Sequence, residues 1–293
     1  MNLFEVIKTL KPTTTQPEMI PDFLYGAFRR KSISFYNGLT DENTIVYWFQ
    51  SRSFTIDLRL KHQTQTAVPE RQGWIGNTLW DSASQLLSWE VKDYANYQNH
   101  VQWPEPAKLY AIGNCILEFS PSHVYVEDWR QQVQRGLFLG LRLQSAIEVQ
   151  SGQKLEIDGG LIICADHVAY ALTRLPEVQS AVAQMDLKAV DPTVFALLES
   201  FEVSIGTDAQ AKTYSTRSGE TGKAFNLENF EVFNETSLVQ HVILDARDIN
   251  LIFEIDIYQP DFVFQHTTVT TAEAENWLKS EQDLLMHHAQ QVL

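Results

Sequence analysis

The chain has 293 residues, 44% hydrophobic and 20% charged, with 22 basic against 37 acidic side chains and a formal net charge of −15. That composition excludes a disordered chain and a membrane-embedded one, and the acidic excess disfavours a nucleic-acid partner, whose phosphates would be repelled unless the bases gathered on one face. The length leaves room for two domains of roughly 100–200 residues each.

Leu3, Phe4, Ile7 and Leu10 fall at helical spacing, which predicts a short helix ending before Pro12. An irregular linker follows, Pro12-Thr-Thr-Thr-Gln-Pro17, and residues 1–22 are read as helix plus linker. The start lacks the basic segment, apolar centre and cleavage site of a secretory signal. No apolar run approaches the roughly 20 residues of a membrane span, so a cytoplasmic protein is expected. The basic triplet Arg29-Arg30-Lys31 reads as a solvated turn.

Residues 23–133 form the first expected β unit. Short runs at Ser32–Tyr36, Thr44–Gln50, Phe54–Leu60, Trp74–Trp80, Leu86–Val91, Leu109–Phe119 and Val124–Trp129, separated by Gly, Asn, Asp and Pro, predict an antiparallel sandwich or barrel. The run Phe54–Leu60 is the clearest. Phe54, Ile56, Leu58 and Leu60 alternate with Thr55, Asp57 and Arg59, which places the acid and the base on one face of a pleated strand. Asp57 and Arg59 are either a charged pair inside a barrel, able to orient a polar ligand group, or a solvated pair outside it.

Residues 134–293 form the second expected unit, with strands at Leu137–Gln144, Gly160–Ala165, His167–Leu172, Ser200–Ile205, Glu231–Phe233, Gln240–Leu244, Asn250–Ile257 and Phe262–Thr268. Helices are predicted over Pro176–Leu187 and Pro192–Leu198. A C-terminal helix capped by Thr271 carries a Trp277, Leu278, Leu284, Leu285, Ala289, Val292 stripe, expected to pack across a barrel end or between the units. Cys115 and Cys164 each sit in an apolar run and read as small core residues rather than a disulfide.

The order of Trp48, Gln50, Asp57, Arg59, Gly73-Trp-Ile-Gly76, Trp89, Gly113, Leu117-Glu118 and Tyr125-Val-Glu-Asp-Trp129 resembles an uncharacterised family of lipocalin-like proteins of fungi and bacteria with two calycin-type units in tandem. Gly160–Arg174 and Glu202–Gly206 extend the resemblance, which spans roughly residues 44–206. Two departures stand within it: Val91 where a basic residue is usual, and Ala165 where glycine is common. The resemblance implies a fold and no settled activity. Together with the strand pattern it gives a mainly β fold class: two tandem calycin/lipocalin-like antiparallel barrels or half-barrels, with short N-terminal and C-terminal helices.

Six of the seven tryptophans fall between Trp48 and Trp129, so the first unit is the better candidate for a pocket, against a well-filled core as the plainer reading. The expected ligand-binding residues are Trp48, Gln50, Asp57, Arg59, Trp74, Trp89 and Tyr94. No residue is assigned as catalytic, and no cofactor is expected. Glu90, Asp93, Tyr94, Tyr97 and His100 cluster in sequence, but such a segment reads first as strand end plus loop. The eight histidines show no metal-site spacing. Asp166-His167 reads as a turn, and Ser215–Lys223 departs from a phosphate loop and reads as a mobile hairpin loop. The expected function is binding of a small, mostly apolar molecule. One alternative is an isomerase, cyclase or hydratase using Asp57, Glu90 or Tyr94; the other is an interaction module with filled barrels, which a pocket below about 300 Å³ would favour.

Overall fold

The computed structural model describes residues 1–13, 20–61, 66–99, 105–187, 191–208 and 211–289, so His62, His100, Trp103 and most of the predicted linker lie outside the described residues. The first unit runs through β1 (Gly26–Phe35), β2 (Thr40–Asp41), β3 (Ile45–Gln50), β4 (Phe54–Leu60), β5 (Gln72–Asp81), β6 (Leu86–Glu90), β7 (Ala107–Ile112), β8 (Cys115–Phe119) and β9 (Tyr125–Gln131). Each strand from β3 to β9 pairs antiparallel with the next, and β1 pairs with both β3 and β9. An eight-stranded barrel therefore closes, with β2 as a short addition on β1. Closure leaves these strands without free edges. The run Leu109–Phe119 divides into β7 and β8 because Gly113, at φ +54°, turns the chain.

The second unit comprises β10 (Arg135–Glu148), β11 (Lys154–Leu155), β12 (Gly159–Cys164), β13 (His167–Leu172), β14 (Glu202–Gly206), β15 (Tyr214–Ser215), β16 (Phe230–Asn234), β17 (Ser237–Leu244) and β18 (Arg247–Val263). Its order is β15-β14-β13-β12-β10-β18-β17-β16, with β11 on β10. The end strands β15 and β16 do not pair with each other among the described residues, so this unit is an open sheet. The predicted strand Asn250–Ile257 lies within β18, which runs on to Val263, whereas Phe264–Thr268 of the second predicted strand are not strand. Pro260 falls where the β10–β18 register shifts between Gly136 and Phe138, and a bulge accommodates a residue that cannot donate to the ladder.

One strand pattern joins the two units. Phe54, Ile56 and Leu58 on the outer face of β4 are fully buried in one cluster with Phe138, Ile162 and Val203 of the open sheet and Phe201 just before β14, each such side chain stabilising the fold by about 1.5–3 kcal/mol. Close approach needs small residues at the seam. A Cβ on Gly73 would stand 2.9 Å from Val203 Cγ2, and one on Gly160 would stand 2.8 Å from the Phe54 ring. Asp256 of β18 clasps the Ser51-Arg52-Ser53 turn, accepting from Ser51 Oγ at 2.5 Å, Ser53 N at 3.0 Å and Ser53 Oγ at 2.6 Å. Arg174, 1% exposed, donates to the backbone carbonyls of Tyr97 and Leu198 and lies over the Tyr97 and Phe201 rings. It ties a barrel loop to the second unit.

Helix α1 (Leu3–Ile7) buries Leu3, Val6 and Ile7 against the far face of the open sheet, so the N-terminal helix packs with the second unit although it precedes the first. Two further short helices, α2 (Pro176–Val182) and α3 (Phe195–Glu199), connect β13 to β14. The last helix, α4 (Ala272–Leu285), is capped by Thr271 as predicted, but none of its residues is buried and Trp277 is 59% exposed. Its expected packing is thus corrected. Glu273, Glu275, Lys279, Glu281 and Asp283 crowd a narrow apolar stripe, and burying it would strip those charges of water. Among the described residues no helix is long and apolar enough to cross a membrane. Both cysteines are free thiols, Cys164 buried and Cys115 half-buried.

Candidate functional site in the first barrel

Alternation along the barrel strands turns one side chain in two toward the axis, and here the inward set is polar and aromatic. From β4 come Thr55, Asp57 and Arg59; from β3, Trp48 and Gln50; from β5, Trp74 and Thr78; from β6, Trp89. Trp48, Asp57, Arg59, Trp74 and Trp89 of this set line a hollow of about 1060 Å³, and Gln50, Thr55 and Thr78 lie beneath it. Arg59 is enclosed by protein yet keeps 31% of its side chain accessible, because the hollow faces it.

The floor is a closed hydrogen-bond network. Gln50, fully buried, donates through Nε2 to the carbonyls of Ser51 and Phe54 and to Thr78 Oγ1, while its Oε1 accepts from Thr55 Oγ1 at 2.7 Å and Trp48 Nε1 at 3.3 Å. Trp89 Nε1 donates to Thr55 Oγ1 at 3.1 Å. Gln50 thus seals the barrel base and is no part of the cavity wall, since its amide atoms are already occupied. Tyr94 is also off the wall: its hydroxyl accepts from Lys92 Nζ at 3.0 Å in the loop after β6. The other expected residues, Trp48, Asp57, Arg59, Trp74 and Trp89, are brought together as wall.

Four tryptophans form a chain of edge-to-face contacts around the hollow. Trp48 meets Trp89 at 6.3 Å and Trp129 at 5.6 Å between ring centroids, and Trp74 meets Trp89 at 5.9 Å. Such pairs stabilise by about 0.5–1.5 kcal/mol beyond area burial and hold the rings in place.

The charged groups are buried and mostly paired. Arg59 Nε donates to Asp57 Oδ1 at 2.9 Å. Arg30 Nη1 donates to Glu127 Oε1 at 2.6 Å, and Arg30 Nη2 to Asp41 Oδ2 at 3.3 Å. Glu118 accepts from Tyr125 Oη at 3.1 Å and from Trp129 Nε1 at 3.0 Å. Burial, and then the charge of Glu127, push the Glu118 carboxyl up to about 8. Burial disfavours charge on Arg59, but Asp57 and Glu127 outweigh it and hold the guanidinium protonated above its ordinary range. The Tyr125 hydroxyl is raised as well, by burial and then by Glu118.

Arg30, Glu118, Tyr125, Glu127 and Trp129 are wall residues that sequence reasoning did not assign to the site. Arg30 lies within β1, not in a solvated turn; it is 8% exposed because β1 closes on β9 and brings Glu127 to it. The alternation Tyr125, Glu127, Trp129 in β9 was the available signal. No group of three or more metal-ligating side chains converges among the described residues.

A second hollow of about 530 Å³ lies on the far face of the open sheet, walled by apolar residues such as Leu161, Phe225 and Phe253 and by Glu202, Lys212, Arg217 and Glu220. The expected mobile loop at Ser215–Lys223 is held there. Lys212 N donates to Lys223 O at 2.8 Å, Glu220 pairs with Lys212 and Lys223, and Ser218 N donates to Glu199 Oε1 at 2.9 Å. Compared with known proteins, the chain matches no family model, no curated protein and no solved structure.

Proposed function

We propose that this protein is a cytoplasmic, lipocalin-like carrier that holds a small, mostly apolar molecule in its first barrel, the open sheet being a calycin-like half-barrel. The observation that carries this reading is the hollow of about 1060 Å³ walled by four tryptophans, with hydrogen-bonded polar groups fixed among them, the features of a small-molecule site. It exceeds by more than threefold the roughly 300 Å³ below which a drug-sized ligand does not fit, which counts against an interaction module with filled barrels. Native mass spectrometry of protein from its own cells tests the reading: a stoichiometric apolar compound is expected. Asp57→Asn and Arg59→Leu should each weaken its retention, and retention equal to the parent's in both would remove these two residues from the site.

A second reading has its own observation. Glu118 carries a raised carboxyl facing the hollow, hydrogen-bonded to Tyr125, and a carboxylic acid poised near neutral pH suits proton transfer to a bound molecule. Turnover of the retained compound by the parent, lost in Glu118→Gln, would favour an isomerase, cyclase or hydratase; unchanged compound after prolonged incubation would leave the carrier.

A further inference from the structure

The barrel holds three deeply buried carboxylates, Asp57, Glu118 and Glu127, against two guanidinium groups, Arg30 and Arg59. Both guanidiniums are engaged elsewhere, Arg59 with Asp57 and Arg30 with Glu127 and Asp41. Glu118, 4% exposed, receives only the neutral donors Tyr125 Oη and Trp129 Nε1, and no lysine or arginine among the described residues stands within ion-pair distance of it. The whole wall, rim included, carries six acids and four bases. An ionised carboxylate buried in this way costs several kcal/mol until a cation or a proton matches it.

Beside that carboxylate stand the indole rings. Trp129 donates to Glu118 and contacts Trp48, which contacts Trp89 in turn. Indole faces attract cations, most strongly where water is excluded, and cages of such rings suit quaternary ammonium groups. Carboxylate and rings therefore select the same chemistry.

Resting on the reading of the barrel as a small-molecule site, we infer that its ligand is an apolar molecule bearing one cationic group, a protonated amine or a quaternary ammonium, seated against Glu118 among Trp48, Trp89 and Trp129. Among the barrel's deeply buried carboxylates charge is then matched: Asp57, Glu118 and Glu127 face two guanidiniums and the ligand cation. With no cation against it, Glu118 holds a proton instead, and binding releases that proton to solvent. The charged or titratable groups around Glu118 are Tyr125 and Glu127 from β9, Arg59 with its partner Asp57 from β4, and Arg30 from β1 behind Glu127. Strand β7 sets the apolar Leu109 opposite it.

Three probes of one chain length separate the possibilities: dodecyltrimethylammonium, dodecanol and dodecanoate, each titrated below its micelle concentration and followed by tryptophan fluorescence. The cation is expected to bind at least tenfold tighter than the alcohol, and dodecanoate weakest. Because a quaternary ammonium does not titrate, a rise in its affinity of at least fivefold between pH 6 and pH 9, absent for dodecanol, reports proton release by the protein. Glu118→Gln should abolish the preference for the cation and its pH dependence while dodecanol still binds; should that variant fail to fold, the pH dependence of the parent decides. Dodecanol binding as tightly as the cation, or dodecanoate binding tightest, would overturn the inference and leave the small-molecule reading standing. Binding of none of the three would overturn both.

Discussion

In the hollow of the open sheet Lys212 Nζ lies 2.6 Å from both Glu202 Oε1 and Glu220 Oε2, and Arg217 and Lys223 give each carboxylate a second cation. In the barrel hollow Glu118 has only neutral donors, and Glu127 depends on Arg30. Both cavities are charged, but the second satisfies its charges internally and with redundancy, while the first leaves one carboxylate to a proton or a ligand. A self-compensated network fixes structure; an unmatched buried group invites chemistry.

The sharpest way to break that comparison is to remove a cation from each hollow. Arg30→Ala removes the ion-pair partner of both Glu127 and Asp41 and should destabilise the protein by about 3–5 kcal/mol in chemical denaturation. The effect of pH comes next. Because Glu118 binds its proton more tightly folded than unfolded, its contribution to stability is complete below about pH 4.5 and is lost as pH rises through about 8. The parent should therefore lose on the order of 4–5 kcal/mol relative to Glu118→Gln across that window, read from unfolding midpoints at both ends; parallel curves for the two proteins would show that Glu118 titrates normally.

Lys212→Ala should cost less, about 1–2 kcal/mol, because Arg217 and Lys223 still face Glu202 and Glu220. A loss equal to that of Arg30→Ala would erase the difference between the hollows. The smallest effect concerns the turn leading into β13, whose Tyr170 lines the second hollow. Ala165 has φ +54°, a left-handed conformation costly for any residue with a Cβ, so Ala165→Gly should stabilise by about 0.5–1 kcal/mol and leave probe binding in the barrel unchanged.

How much of this was legible in advance differs from element to element. Strand β4 was readable because its period-2 alternation is strict, and so was the pairing of Asp57 with Arg59 on one face. Trp48, Trp74 and Trp89 followed from their concentration in the first unit. Gln50 lies at the floor and Tyr94 beyond the wall, since depth along the barrel is set by its geometry rather than by strand pattern. Arg30 was hidden in a basic triplet that resembles any solvated turn.

The sequence by itself determined the mainly β class, the strand that carries the charged pair, the capped C-terminal helix and the unit richest in tryptophan, since each rests on local periodicity or composition. Only tertiary structure decided that the first sheet closes while the second stays open, and that the apolar face of β4 turns outward onto the open sheet while its polar face turns inward. It also decided that Glu118 meets Trp129 and that Arg30 meets Glu127. These contacts join residues up to 97 positions apart, and pairing between distant strands depends on how the barrel closes, which no local window of residues encodes.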